Sequence, residues 1–68
     1  MNKPLFRSHM VKNGDTQEKL AEAIGISLSN LNSKLNQKGA AFRVDEVDQI
    51  RKRYHLSDED IRLIFFTQ

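Results

Sequence analysis

TQEKLAEAIGISLSNLNSKLN, residues 16–36, carries its apolar side chains at helical spacing in two short runs. In the first, Leu20, Ala21 and Ile24 share one face and leave Gln17, Glu18, Lys19 and Glu22 for solvent. Thr16 or Asp15 can cap this helix, and Asp15 with Glu18 three residues on resembles a capping box. Gly25 supplies the backbone freedom of a left-handed helix stop, and Ile26 follows it as an apolar plug. In the second run Ser27 is the N-cap, and Leu28, Leu31 and Leu35 recur three and four residues apart. The expectation is two helices meeting at a glycine turn over a small shared core.

The flanks read as support. Residues 1–3 look like a loose tail, and Pro4 suits the first turn of a helix, where a missing N–H costs nothing. Leu5, Phe6, Met10 and Val11 supply the buried side of that helix, Lys3, Arg7, His9 and Lys12 its exposed side, and Asn13-Gly14 its stop. Past the central pair, residues 37–43, with Gly39 and two alanines, form a connector of ordinary length. Val44, Val47, Ile50 and Tyr54 then repeat at helical spacing. Asp45, Glu46 and Asp48 stand near the start of that helix and Arg51, Lys52 and Arg53 near its end, the order the helix dipole favours. His55-Leu56 breaks the helix. Ser57 caps a fifth, with Leu56 set to staple against Ile61, and with Ile61, Ile64 and Phe65 facing inward. No repeat, low-complexity tract or strand-like alternation interrupts this all-α pattern.

A chain of 68 residues makes one small domain, near the limit of what a single hydrophobic core holds without cross-links. Cysteine is absent, which removes disulfides and thiolate metal sites and is compatible with a reducing cytoplasm. No apolar run approaches a membrane span and the N-terminus lacks a secretory apolar core, so a soluble cytoplasmic protein with no membrane partner is expected. The net charge of +2 says little, but its distribution says more. Residues 1–43 hold seven lysines and arginines against three acids, residues 44–68 four against six, and no acid lies between Ala23 and Val44. The central segment is cleared of charge that would repel a polyanion.

The residues Thr16, Gln17, Ala21, Gly25, Ile26 and Leu31 resemble the helix-turn-helix pattern of the phage repressor and Cro family, sometimes called XRE-like. In that pattern the alanine is small because the second helix crosses it, and the glycine makes the tight turn. Lys34 departs from it, standing where an apolar residue is usual; its aliphatic stem can cover the core, or Leu35 takes over. The resemblance implies a compact four- to five-helix, lambda-repressor-like DNA-binding domain spanning residues 1–68. A recognition helix at about residues 27–36 would lie in the major groove of a double-stranded operator. It implies base contacts from Leu28, Ser29, Asn32 and Ser33, with Asn32 suited to a bidentate pair with adenine and Leu28 to a thymine methyl or, equally, to core packing. Gln17, Ser27, Asn30, Asn36, Lys38 and Arg43 are the implied backbone contacts, Arg43 near the minor groove. A stand-alone domain of this kind resembles Cro more than a two-domain repressor. It is expected in a bacterial cytoplasm or the host cell of a phage, regulating transcription by occupying its operator.

Pairing is expected as well, because one domain this small offers few base contacts and relatives bind as two-fold dimers on half-sites roughly 34 Å apart. Phe65 and Phe66 lie about 100° apart on a helix, so one is spare. With Leu63 it forms a homodimer surface, or the chain end folds back over it. Arg51-Lys52-Arg53 is discounted as a basic patch, because successive helical residues diverge and nearby acids can pair with them. His9 and His55 have no ligand-spaced partners, and no activated nucleophile or phosphate-cradling glycine loop is present, so neither catalysis nor a cofactor is expected. The competing reading is a helix-turn-helix scaffold used as a protein-interaction module, antirepressor-like, for which the uncharged outer face of the second helix leaves room.

Overall fold

A computed structural model describes residues 1–38 and 41–66; Gly39 and Ala40 of the expected connector lie outside the described residues. The described residues form five helices: α1 (Lys3–Lys12), α2 (Gln17–Ile24), α3 (Leu28–Leu35), α4 (Val44–Tyr54) and α5 (Asp58–Phe65). No strand occurs among the described residues, so the all-α expectation holds.

Four of the five helices end in one way. The N–H two or three residues past the helix end reaches back to a carbonyl in the last turn: Asp15 to Met10 (2.9 Å), Ile26 to Ala21 (3.0 Å), Lys38 to Ser33 (2.8 Å) and Leu56 to Arg51 (3.0 Å). Each such stop needs a left-handed residue just before it. Gly14 and Gly25 take that conformation at φ 62° and 76°, and Gln37 and His55 take it at φ 57° and 55° despite carrying side chains. The two glycine stops and the break at His55-Leu56 were readable in the sequence; the left-handed residue at Gln37 was not.

The starts are equally local. Thr16, Ser27 and Ser57 accept the N–H of the residue three positions on, and Asp60 returns the bond to the Ser57 N–H in a full capping box. Thr16 rather than Asp15 caps α2, which corrects the capping box read at Asp15. Residues 1–3 are not a loose tail. Asn2 caps α1 through its Oδ1, its N–H donates to Ile64 O at 2.7 Å, and Met1 packs against the core. The chain start is thereby tied to α5.

Phe6 sits at the centre of the core, fully buried, with Phe42, Tyr54 and Phe65 around it at ring distances of 6.0–6.3 Å. It joins α1 to the connector, α4 and α5. The α2–α3 corner has a separate, aliphatic filling: Leu20, Ala21, Ile24, Leu31 and Leu35 are all buried. Leu35 does take the inward position, while Lys34 lies half-buried beside it.

Two apolar residues assigned to the core face out. Val11 is 79% exposed, because Phe6 and Met10, four apart, already define the inner line of α1 and Val11 lies a step off it. Val44 is 89% exposed: the inner line of α4 runs through Glu46, Ile50 and Tyr54, not through the first residue of the helix.

Glu46 is the one buried charged residue among those described. Its carboxylate accepts the Lys34 ammonium at 2.5 Å and the Arg43 N–H at 2.8 Å, so it fastens α3 to α4 and caps α4 together. Burial opposes its ionisation, but the Arg43 N–H and Lys34 outweigh that and hold its pKa below the ordinary glutamate value. Asp15 makes the second such tie. Its side chain, 3% exposed, accepts both Arg53 Nε and Nη2 at 2.8 Å and the Tyr54 hydroxyl at 2.5 Å. Arg53 holds the Asp15 carboxyl down to about 2, against the desolvation that would raise it. Burial and the neighbouring Asp15 carboxylate push the Tyr54 phenol above its usual range.

Candidate nucleic-acid interface

The outer face of α3 is polar and unoccupied. Ser29 and Asn30 are exposed, Asn32 and Ser33 half-buried, and the side chains of all four are without internal hydrogen bonds among the described residues. Leu28 is 39% exposed at the first position of α3, so of its two expected roles the structure leaves it open to solvent rather than packed. Ser27 is exposed too, but its hydroxyl is committed to capping α3 through the Asn30 N–H at 3.0 Å. Gln17 opens α2, half-buried and with its amide free.

Beyond the end of α3, Asn36 is exposed and makes bonds of its own. Its Nδ2 donates to Asn32 O at 2.9 Å and its Oδ1 accepts the Lys3 ammonium at 2.5 Å, so both ends of its amide are engaged, with one Nδ2 hydrogen left over. Sequence reading left Lys3 on the outside of α1; its 33-residue separation from Asn36 gave no signal of this meeting.

Lys38, exposed, follows and pairs with no carboxylate among the described residues. Arg43 is exposed and pairs at 3.2 Å with Asp45, itself exposed, an ion pair weak enough to yield to a phosphate. Six cations pair with carboxylates among the described residues: Lys34, Arg43, Arg51, Lys52, Arg53 and Arg62. Arg51, Lys52 and Arg53 pair with Asp58, Asp48 and Asp15 in turn, so the triplet is consumed as its spacing suggested.

On α5 Phe65 turns inward and Phe66, the C-cap, is 72% exposed. Phe66 borders an open apolar groove of about 230 Å³ between Met1, Phe42, Val44, Val47 and Phe65. No cluster of three metal-ligating side chains forms among the described residues, and no helix is long and apolar enough to cross a membrane.

Comparison with protein family patterns, with characterised proteins and with solved structures finds no match to this chain.

Proposed function

We propose that the protein is a sequence-specific double-stranded DNA-binding regulator of the phage repressor and Cro type, with α3 in the major groove. One observation carries this reading: α3 turns outward a row of short hydrogen-bonding side chains, Ser29, Asn32 and Ser33, with no partner of their own among the described residues. Donor and acceptor groups of this size at the start of a helix reach base edges. Leu28 adds an apolar tip that fits a thymine methyl. Gln17, Asn30, Lys38 and Arg43 surround them as phosphate contacts, and Ser27 holds the helix start in place. Glu46, the carboxylate that pairs with α3 through Lys34, is buried.

The partner assigned to the apolar groove is a second copy of the chain. A two-fold pair lets Val44 and Phe66 of each copy fill the groove of the other, and a palindromic operator then receives two α3 helices about one DNA turn apart. The test is a gel shift with a random-sequence duplex at low salt, followed by selection of bound sites from a random pool. Retardation at low salt, and a two-fold symmetric motif on selection, is the expected result. No retardation at 50 mM salt overturns the reading, since even sequence-indifferent DNA binding operates there. That outcome would favour the protein-interaction module, which draws on the uncharged outer face of α3 and its exposed Leu28.

A further inference from the structure

On the footing of the DNA-binding reading, we propose that Lys3, at the start of α1, is a phosphate-gripping residue that continues the DNA surface past the end of α3. Three observations converge on it. Its ammonium sits 2.5 Å from Asn36 Oδ1, which puts a cation at the C-cap of α3 although the two residues are far apart in the chain. No carboxylate pairs with it among the described residues, and the first turn of α1 holds no acid. Finally, Asn36 has both ends of its amide engaged, with Nδ2 on Asn32 O and Oδ1 turned to Lys3.

The chemistry follows from those bonds. A carbonyl-type oxygen cannot donate to a phosphate, whereas an ammonium has three donors and spends only one on Asn36. Lys3 therefore supplies the charge at this point and Asn36 orients it. The 33-residue separation explains why the motif alone gives no hint: the contact exists because Asn2 is fastened to α5 at Ile64 O, which carries the start of α1 against the end of α3.

Salt dependence separates a phosphate contact from a structural one, because each phosphate neutralised by a cation adds about 0.9 to the slope of log affinity against log salt. The experiment measures binding of a random-sequence 20-base-pair duplex by fluorescence anisotropy between 50 and 200 mM salt, for the wild type and for Lys3→Gln, Lys3→Arg, Asn36→Ala and Lys52→Gln. Lys3→Gln should flatten the slope by about one, so that a fourfold rise in salt costs it roughly three- to fourfold less affinity than it costs the wild type. Lys3→Arg should restore the slope, and Lys52→Gln, whose cation pairs with Asp48, should leave it alone. Asn36→Ala should weaken binding at every salt concentration with the slope unchanged, since a neutral amide releases no counterion.

A wild-type slope in Lys3→Gln, with the wild type binding normally, overturns this inference alone. A slope change in Asn36→Ala as large as that in Lys3→Gln overturns it too. Failure of the wild type to bind the duplex at 50 mM salt takes down the DNA-binding reading and this inference with it. Circular dichroism and thermal melts, expected to match the wild type, keep a folding defect from passing as any of these.

Discussion

Residues 1–38 and residues 41–66 treat charge in opposite ways. In the second region all five cations, Arg43, Arg51, Lys52, Arg53 and Arg62, pair with carboxylates. In the first only Lys34 does, and its partner Glu46 lies across the divide; Lys3, Arg7, Lys12, Lys19 and Lys38 pair with none among the described residues. Most of the pairs in the second region are exposed and contribute little to stability. What they accomplish is to leave that region electrically quiet. Packing divides the molecule along a different line: an aromatic cluster around Phe6 binds α1, α4 and α5, while α2 and α3 meet over aliphatic side chains. The aromatic cluster spans both regions, whereas the cations that pair with no carboxylate among the described residues all lie in the first.

That division can be broken most severely at Phe6. Phe6→Ala removes the ring that four elements share and should cost about 3–5 kcal/mol, enough to abolish most of the stability of so small a domain. Urea or thermal melts would register it; a loss under about 1 kcal/mol would mean that the aromatic cluster is not what unites the helices. The Asp15 tie is next. Its carboxyl is held at about 2 in the folded chain, below roughly 3.9 when unfolded, so its contribution is complete above about pH 5 and is lost as pH falls through 2. Asp15→Asn should cost about 2 kcal/mol at pH 7 and almost nothing at pH 2. Stability curves of the two proteins that run parallel from pH 7 to pH 2 would rule that linkage out.

Asn32→Ala sharpens the comparison from the other side. It should leave the melting temperature within about a degree of the wild type, because its amide holds nothing in the fold. It should also weaken binding to a selected site by about 1–3 kcal/mol while sparing random DNA. Equal losses on both DNAs would count against base reading. The smallest effect is expected at His55, a non-glycine residue held left-handed. His55→Gly should raise stability by at most about 1 kcal/mol, read as a higher urea midpoint with unchanged DNA binding. A lower midpoint would show that the His55 side chain contributes more than its strain costs.

The helices were legible because their signals are local: Pro4, Thr16, Ser27 and Ser57 at starts, Gly14 and Gly25 at stops, and three-and-four spacing between. The outer face of α3 was legible for the same reason, as the complement of Leu31 and Leu35. What escaped were the polar residues whose roles are set by distant partners. Asp15 looked like a cap until Arg53 and Tyr54 arrived beside it, Glu46 like one more acid suited to a helix start until Lys34 reached it, and Lys3 like a tail until it met Asn36. Periodicity also put Val44 inside, because it cannot tell that a carboxylate two residues on has the better use for the inner position.

None of the five helices is longer than eleven residues, and α3 has only eight. Segments of that size do not persist on their own in water. A peptide copied from residues 27–36 should therefore be a random coil with no appetite for an operator. By the same logic, warming the intact chain should extinguish DNA binding and helicity at a single temperature, with no interval in which α3 survives its neighbours.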